Sequence, residues 1–256
     1  MKVIVNVAAI ATCLTVFVVG HQHWKEKIEV HAAQSKTSVV MKQPVTAEEE
    51  AVDVMRYTKN LPPFFVKKIE QAIQANKPLS FVIAGPHATT EEGSWAVMVK
   101  QFIEETYGKE VFTVHIHSLT GETSANILAK SALSTLEQYE PDVVLYEPPT
   151  LLDNGLIGIH NTVKNTNEMM QQLKQLPSAP ALLVQPSQPL AQASVYPNEV
   201  TLVKEVIDQH GVYYVDHWKT WPEGEALSAY VSVEGVLSEK GHAQWASFYK
   251  AFFKGV

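Results

Sequence analysis

From about residue 60 onward, apolar positions fall into blocks whose period switches back and forth. Short apolar or alternating runs occupy 79–84, 111–117, 142–146, 181–184 and 213–215. Such runs, closed by turn residues, read as buried strands. Between them apolar residues recur every three or four positions, as at Val97, Val99, Phe102 and Ile103, which reads as helix packed on one face. The pattern predicts helices over 94–107, 126–139, 162–175, 199–210 and 239–253. A further helix opens at Pro62-Pro63, where proline's missing N–H costs least, and buries Phe64, Phe65, Ile69 and Ile73. Five strands alternating with helices predict an α/β protein with a parallel sheet covered on both faces.

The beginning of the chain has a different texture. Residues 3–20 are apolar except for Asn6 and two threonines, with Lys2 in front. About 18 apolar residues is the lower limit for a bilayer-spanning helix. An uncleaved membrane anchor, a cleaved signal peptide ending near Val18-Val19-Gly20, and a buried helix all fit this run. Residues 21–59 are polar, carry Glu48-Glu49-Glu50 and lack a sustained apolar period, so they read as a linker or stalk in which His21 and His23 are solvated. The expected division is 1–20 transmembrane anchor or signal peptide, 21–59 linker, and 60–256 folded domain. The membrane is then a partner through the N-terminal helix, and the domain is extracytoplasmic, or secreted if the segment is cleaved.

Composition narrows the function classes. The net charge is −7 without a basic cluster, which argues against nucleic acid. The single cysteine, Cys13, excludes a disulfide framework and a Cys-based metal site. Its neighbours make it a small apolar residue within the run. Neither cofactor nor metal is expected. His115 and His117 share one face of a strand, but no third ligand accompanies them.

In open α/β sheets ligands bind at the carboxyl ends of the strands. The segments there are Gly85-Pro86-His87-Ala88-Thr89, Gly121-Glu122-Thr123-Ser124, the loop 147–155 (EPPTLLDNG), and Glu239-Lys240-Gly241-His242 at the start of the last helix. A histidine at such a place suits a general base, and a glycine N–H with a side-chain amide suits an oxyanion hole. Asp216-His217-Trp218 lies on the same edge. Trp218 and Trp221 either stack on a sugar or acyl chain or pack their own loop, and Trp95 is expected in the core.

Together these segments resemble the SGNH (GDSL-type) hydrolases over roughly 79–253. Gly121-Glu122-Thr123-Ser124 looks like the second block of that family. Leu237-Ser238-Glu239-Lys240-Gly241-His242-Ala243-Gln244-Trp245 is similar to the final block of its envelope members in Gram-positive bacteria. The resemblance implies a flavodoxin-like three-layer α/β/α sandwich with a five-stranded parallel sheet. It also implies an ester hydrolase of the cell envelope that acts on acyl or acetyl esters of lipids or glycans. Gly121 and Asn154 would then hold the oxyanion, and His242, oriented by Glu239, would be the base. Glu239 equally fits a first-turn acid favoured by the helix dipole.

Two departures stand out. With Gly85 and Thr89 on the family's Gly and Thr, Pro86 and His87 fall where its Asp and nucleophilic Ser belong. Neither has a hydroxyl, so Thr89, Thr90 or Ser94 would have to substitute. The third block lacks Gly-x-Asn-Asp. Asn154, after Asp153, is either a displaced oxyanion donor or turn chemistry with Gly155. A catalytically inactive pseudo-hydrolase, a membrane-anchored binding or scaffold domain, is therefore the alternative. A third reading has His87 and His242 activate water directly, or hold a metal with Asp216.

Overall fold

The computed structural model describes residues 54–255. The expectations for the N-terminal apolar run, Cys13 and most of the linker lie outside them. Among the described residues no helix is long and apolar enough to cross a membrane.

The elements run α1 (Pro63–Ala75), β1 (Leu79–Gly85), α2 (Trp95–Tyr107), β2 (Phe112–Ser118), α3 (Ser124–Ala129), β3 (Val143–Tyr146), α4 (Thr150–Asp153), α5 (Ile159–Lys174), β4 (Ala181–Val184), α6 (Tyr196–Gln209), β5 (Tyr213–Tyr214) and α7 (Glu239–Lys254). All five strands are parallel, in the order β2-β1-β3-β4-β5. That is the flavodoxin-like order, whose switch point lies between β1 and β3. The predicted α/β class and parallel sheet are what the chain forms.

Side chains of β1 alternate between two cores, as strand geometry requires. Phe81 and Ile83 join Phe65, Trp95, Val99, Trp245, Tyr249 and Phe253 under α1, α2 and α7. Val82 and Ala84 join Ile127, Leu136, Met169, Met170 and Ile207 under α3, α5 and α6. Packing begins ahead of Leu61: around a 3-10 turn, Arg56–Thr58, the residues Val54, Met55 and Tyr57 lie against the first core.

Three boundaries differ from the sequence pattern. The helix expected over 126–139 breaks after Ala129, because Ser131 takes a left-handed φ of 51° and the chain resumes as a 3-10 helix, Ala132–Tyr139. Within the loop expected over 147–158, residues Thr150–Asp153 wind into a helical turn. Helix α6 starts at Tyr196, with Pro197 accommodated in its first turn.

Two local devices place the site. Ser94 caps α2, its hydroxyl accepting Val97 N–H and donating to Thr89 O. Ser238 caps α7 in the same way through Gly241 N–H. Gly241 is buried against Tyr230, and a Cβ there would come within 2.2 Å of Tyr230 O. This close approach fixes where the next residue, His242, emerges.

Candidate active site

The switch point is occupied by a buried carboxylate. Ala84 pairs with Tyr146 across β1 and β3, and Glu147 N–H extends the ladder by donating to Ala84 O at 2.8 Å. The Glu147 side chain is fully buried and lies beside Gly85. A Cβ on Gly85 would sit 2.5 Å from Glu147 Cβ, so glycine is what allows the approach. Glu147 Oε1 lies 2.6 Å from His87 Nδ1, and Oε2 accepts His87 N–H at 3.2 Å. His87 O in turn accepts Trp95 Nε1–H at 2.8 Å. His87 is thus held at three points, its ring at Nδ1 and its backbone at N–H and O, while its side chain stays 20% exposed. A carboxylate only accepts, so Nδ1 carries a proton, and in the neutral ring Nε2 is the acceptor.

His242 approaches from α7. Its Nδ1 accepts Trp95 N–H, the first N–H of α2, at 3.3 Å. Its pKa is lowered, first by burial, then by the neighbouring His87, with Glu91 opposing. Behind it an aromatic stack locks α7 to α2 and to the segment after β5. Trp245 lies on Trp95 at 4.5 Å and on His217 at 4.5 Å. Trp245 Nε1–H and Tyr249 O–H both donate to the buried Gln185 Oε1, just beyond β4.

A second buried carboxylate binds the neighbouring loops together. Asp153 accepts Ser124 N–H at 2.8 Å and Ser124 O–H at 2.5 Å, while Asn165 Nδ2 donates to the same hydroxyl at 2.9 Å. This clasp brings the Gly121 turn beside the loop that carries Asn154.

The sequence-derived residues distribute as follows. Gly85, Pro86, His87 and Thr89 form the turn at the switch point, and Ala88 N–H closes it onto Gly85 O. Gly121, with φ 75°, sits in the adjoining turn. Asn154 caps α4 through its backbone N–H to Thr150 O. Glu239 is exposed in the first turn of α7, and the nitrogen through which it would orient His242 is occupied by Trp95 N–H. Among the described residues no serine or threonine hydroxyl hydrogen-bonds the ring of His87 or His242.

The remaining polar candidates have other duties. His217 is buried, donates from Nε2 to Pro186 O and accepts Trp221 Nε1–H at Nδ1. Burial pushes its pKa down to about 3. Trp221 Nε1–H bonds within its own loop, whereas Trp218 Nε1–H donates to Ser187 O in the loop after β4 and its ring lies against Tyr196 of α6. His115 stacks on Tyr139, and His117 meets the Thr135 hydroxyl. Among the described residues no three of His, Cys, Asp or Glu converge as metal ligands.

Sequence reasoning missed Glu147 and Asp153. The available signal for Glu147 was its place one residue past the apolar run 143–146, where a charge meets the sheet edge before Pro148-Pro149. On the same edge stand four exposed apolar residues, Leu156, Val195, Val233 and Val236, on the loops that follow β3, β4 and β5.

This is an open flavodoxin-like sheet with a buried carboxylate and a histidine paired at the topological switch point. No protein-family model matches the chain, and no curated protein sequence matches it. Solved structures do. A peptidoglycan O-acetylesterase superposes with a TM-score of 0.59 at 9% identity, over 78% of this chain and 95% of its own. A lipase/acylhydrolase from Enterococcus faecalis gives 0.54 at 16% identity, over 69% and 96%. A putative lipolytic protein of the G-D-S-L family from Desulfitobacterium hafniense gives 0.51 at 12% identity, over 68% and 98%. The chain has the SGNH/GDSL hydrolase fold.

Proposed function

We propose that the chain is an ester hydrolase of the cell envelope, acting on acyl or acetyl esters of lipids or glycans. The observation that carries this reading is the His87–Glu147 pair. A fully buried carboxylate is costly unless it is paired and hydrogen-bonded. Here it is spent on bracing an imidazole that remains open on one side, at the edge where this sheet topology binds ligands. The apolar rim of Leu156, Val195, Val233 and Val236 suits an acyl-bearing substrate. Fold neighbours include a peptidoglycan O-acetylesterase and an acetyl xylan esterase, which supports acetyl esters of glycans as the first substrates to try. The apolar run 3–20 tethers the domain on the outer side of a membrane in this reading.

The test is release of acetate from p-nitrophenyl acetate, O-acetylated peptidoglycan and acetylated xylan by the full-length chain, beside His242→Ala. Turnover that falls with His242→Ala supports the reading. A wild-type chain inactive on all three removes that support.

A second reading, the pseudo-hydrolase that binds without cleaving, is favoured by one observation. The hydroxyls of Ser94 and Ser124 are both consumed, in a helix cap and in the Asp153 clasp. Calorimetric binding of acetylated glycan fragments without turnover is its expected result.

A further inference from the structure

His87 and His242 carry opposite ring chemistry at the edge of the sheet. Glu147 fixes the proton of His87 on Nδ1, so its Nε2 offers a lone pair. Trp95 N–H occupies Nδ1 of His242, so its proton belongs on Nε2. One imidazole can take a proton and the other can give a hydrogen bond. In the arrangement implied by family resemblance, His242 is the base and a serine stands where His87 is.

We propose that the two positions have exchanged roles: His87, braced by Glu147, is the base that activates water, and His242 is the hydrogen-bond donor to the ester carbonyl oxygen. The inference rests on the ester-hydrolase reading above and names its mechanism. His87 Nε2 removes a proton from water as the hydroxide oxygen adds to the carbonyl carbon. The resulting oxyanion is held by His242 Nε2–H. Collapse expels the alkoxide, which takes the proton back from the His87 imidazolium. Ester and water become acid and alcohol, and no bond to the protein forms. Glu147 touches neither water nor ester; it is a positioning residue that fixes the tautomer and stabilises the transient imidazolium. The lowered pKa of His242 keeps its ring neutral, a donor through Nε2 that does not compete for the water's proton.

The experiment uses the full-length chain labelled with 15N-histidine, with rings assigned from His87→Ala and His242→Ala. The expected result is His87 protonated at Nδ1 and His242 at Nε2 above neutral pH. Turnover of p-nitrophenyl acetate should fall by about 100-fold or more in His87→Ala. Wild-type turnover should survive a serine-directed fluorophosphonate. In Glu147→Gln, kcat should fall with KM little changed, and the His87 ring should show a mixture of tautomers. If His87→Ala fails to fold, the wild-type tautomers and the fluorophosphonate result still decide. His242 protonated at Nδ1, or turnover abolished by the fluorophosphonate, overturns the exchange of roles while leaving the hydrolase reading in place. A wild-type chain without turnover overturns both.

Discussion

Two carboxylates from one loop, Glu147 and Asp153, are both buried, yet they serve different ends. Asp153 faces a hydroxyl and a backbone N–H whose bonding capacity it uses up, with Asn165 taking what remains of Ser124. Nothing in that cluster is left to act on another molecule. Glu147 faces an imidazole, which has a second nitrogen on its far side. The cost of burial is similar in kind, but only one of the two partners keeps a reactive atom. The chemistry of the partner, more than the burial of the acid, separates a structural clasp from a working pair.

The sharpest way to break this comparison is Glu147→Gln. Gln still fits and can still accept a hydrogen bond, but it no longer dictates the His87 tautomer. Turnover is expected to fall by about 100-fold or more, within the range for losing general-base catalysis, with thermal unfolding little changed. Asp153→Ala should do the converse. It strands the buried Ser124 N–H and is expected to cost about 2–3 kcal/mol in denaturant unfolding. Gly85→Ala tests the approach of β1 to Glu147. With a Cβ 2.5 Å from Glu147 Cβ, the strand ends must separate, at about 1–3 kcal/mol and with loss of the His87 contact.

Two further effects sharpen the same contrast. His217 is a third buried polar group, with both ring nitrogens satisfied. Its pKa is about 3 in the folded chain against an ordinary 6.5. The unfolded chain therefore takes up this proton first as pH falls below about 6.5, and stability declines from there until the folded ring also protonates near 3. Unfolding measured across that window should show a slope of at most about 1.4 kcal/mol per pH unit from this residue, absent in His217→Gln. Ser94→Ala removes a cap and the bond to Thr89 O, so about 1–2 kcal/mol of stability should go while ester turnover persists. Loss of turnover in that variant, together with labelling of Ser94 by the fluorophosphonate in wild type, would make Ser94 the nucleophile and restore a serine mechanism.

How much of this was legible follows from the range of each interaction. The strands were readable because apolar runs such as 143–146 and 181–184 are local, and alternation of strand with helix dictates a parallel sheet. The edge of the sheet was readable for the same reason, and the turns at Gly85 and Gly121 lie at the carboxyl ends of β1 and β2. The break at Ser131 was not, since a left-handed serine leaves no apolar signature in a segment that otherwise keeps helical period. The His87–Glu147 and Ser124–Asp153 pairs join residues 60 and 29 positions apart. No local pattern encodes such pairings; they exist only once β2, β1 and β3 lie side by side. The resemblance pointed to Glu239 as the carboxylate of the site. In the structure the carboxylate that meets a histidine ring is Glu147, while Glu239 stands exposed in the first turn of α7.

The most direct test is to measure unfolding free energy and ester turnover per folded molecule on the same preparations of wild type, Glu147→Gln and Asp153→Ala. The account expects Glu147→Gln to keep its stability and lose its turnover, and Asp153→Ala to lose stability while its folded fraction still turns over ester. Full turnover in Glu147→Gln, with all activity gone from folded Asp153→Ala, would contradict it and move the chemistry to the other carboxylate.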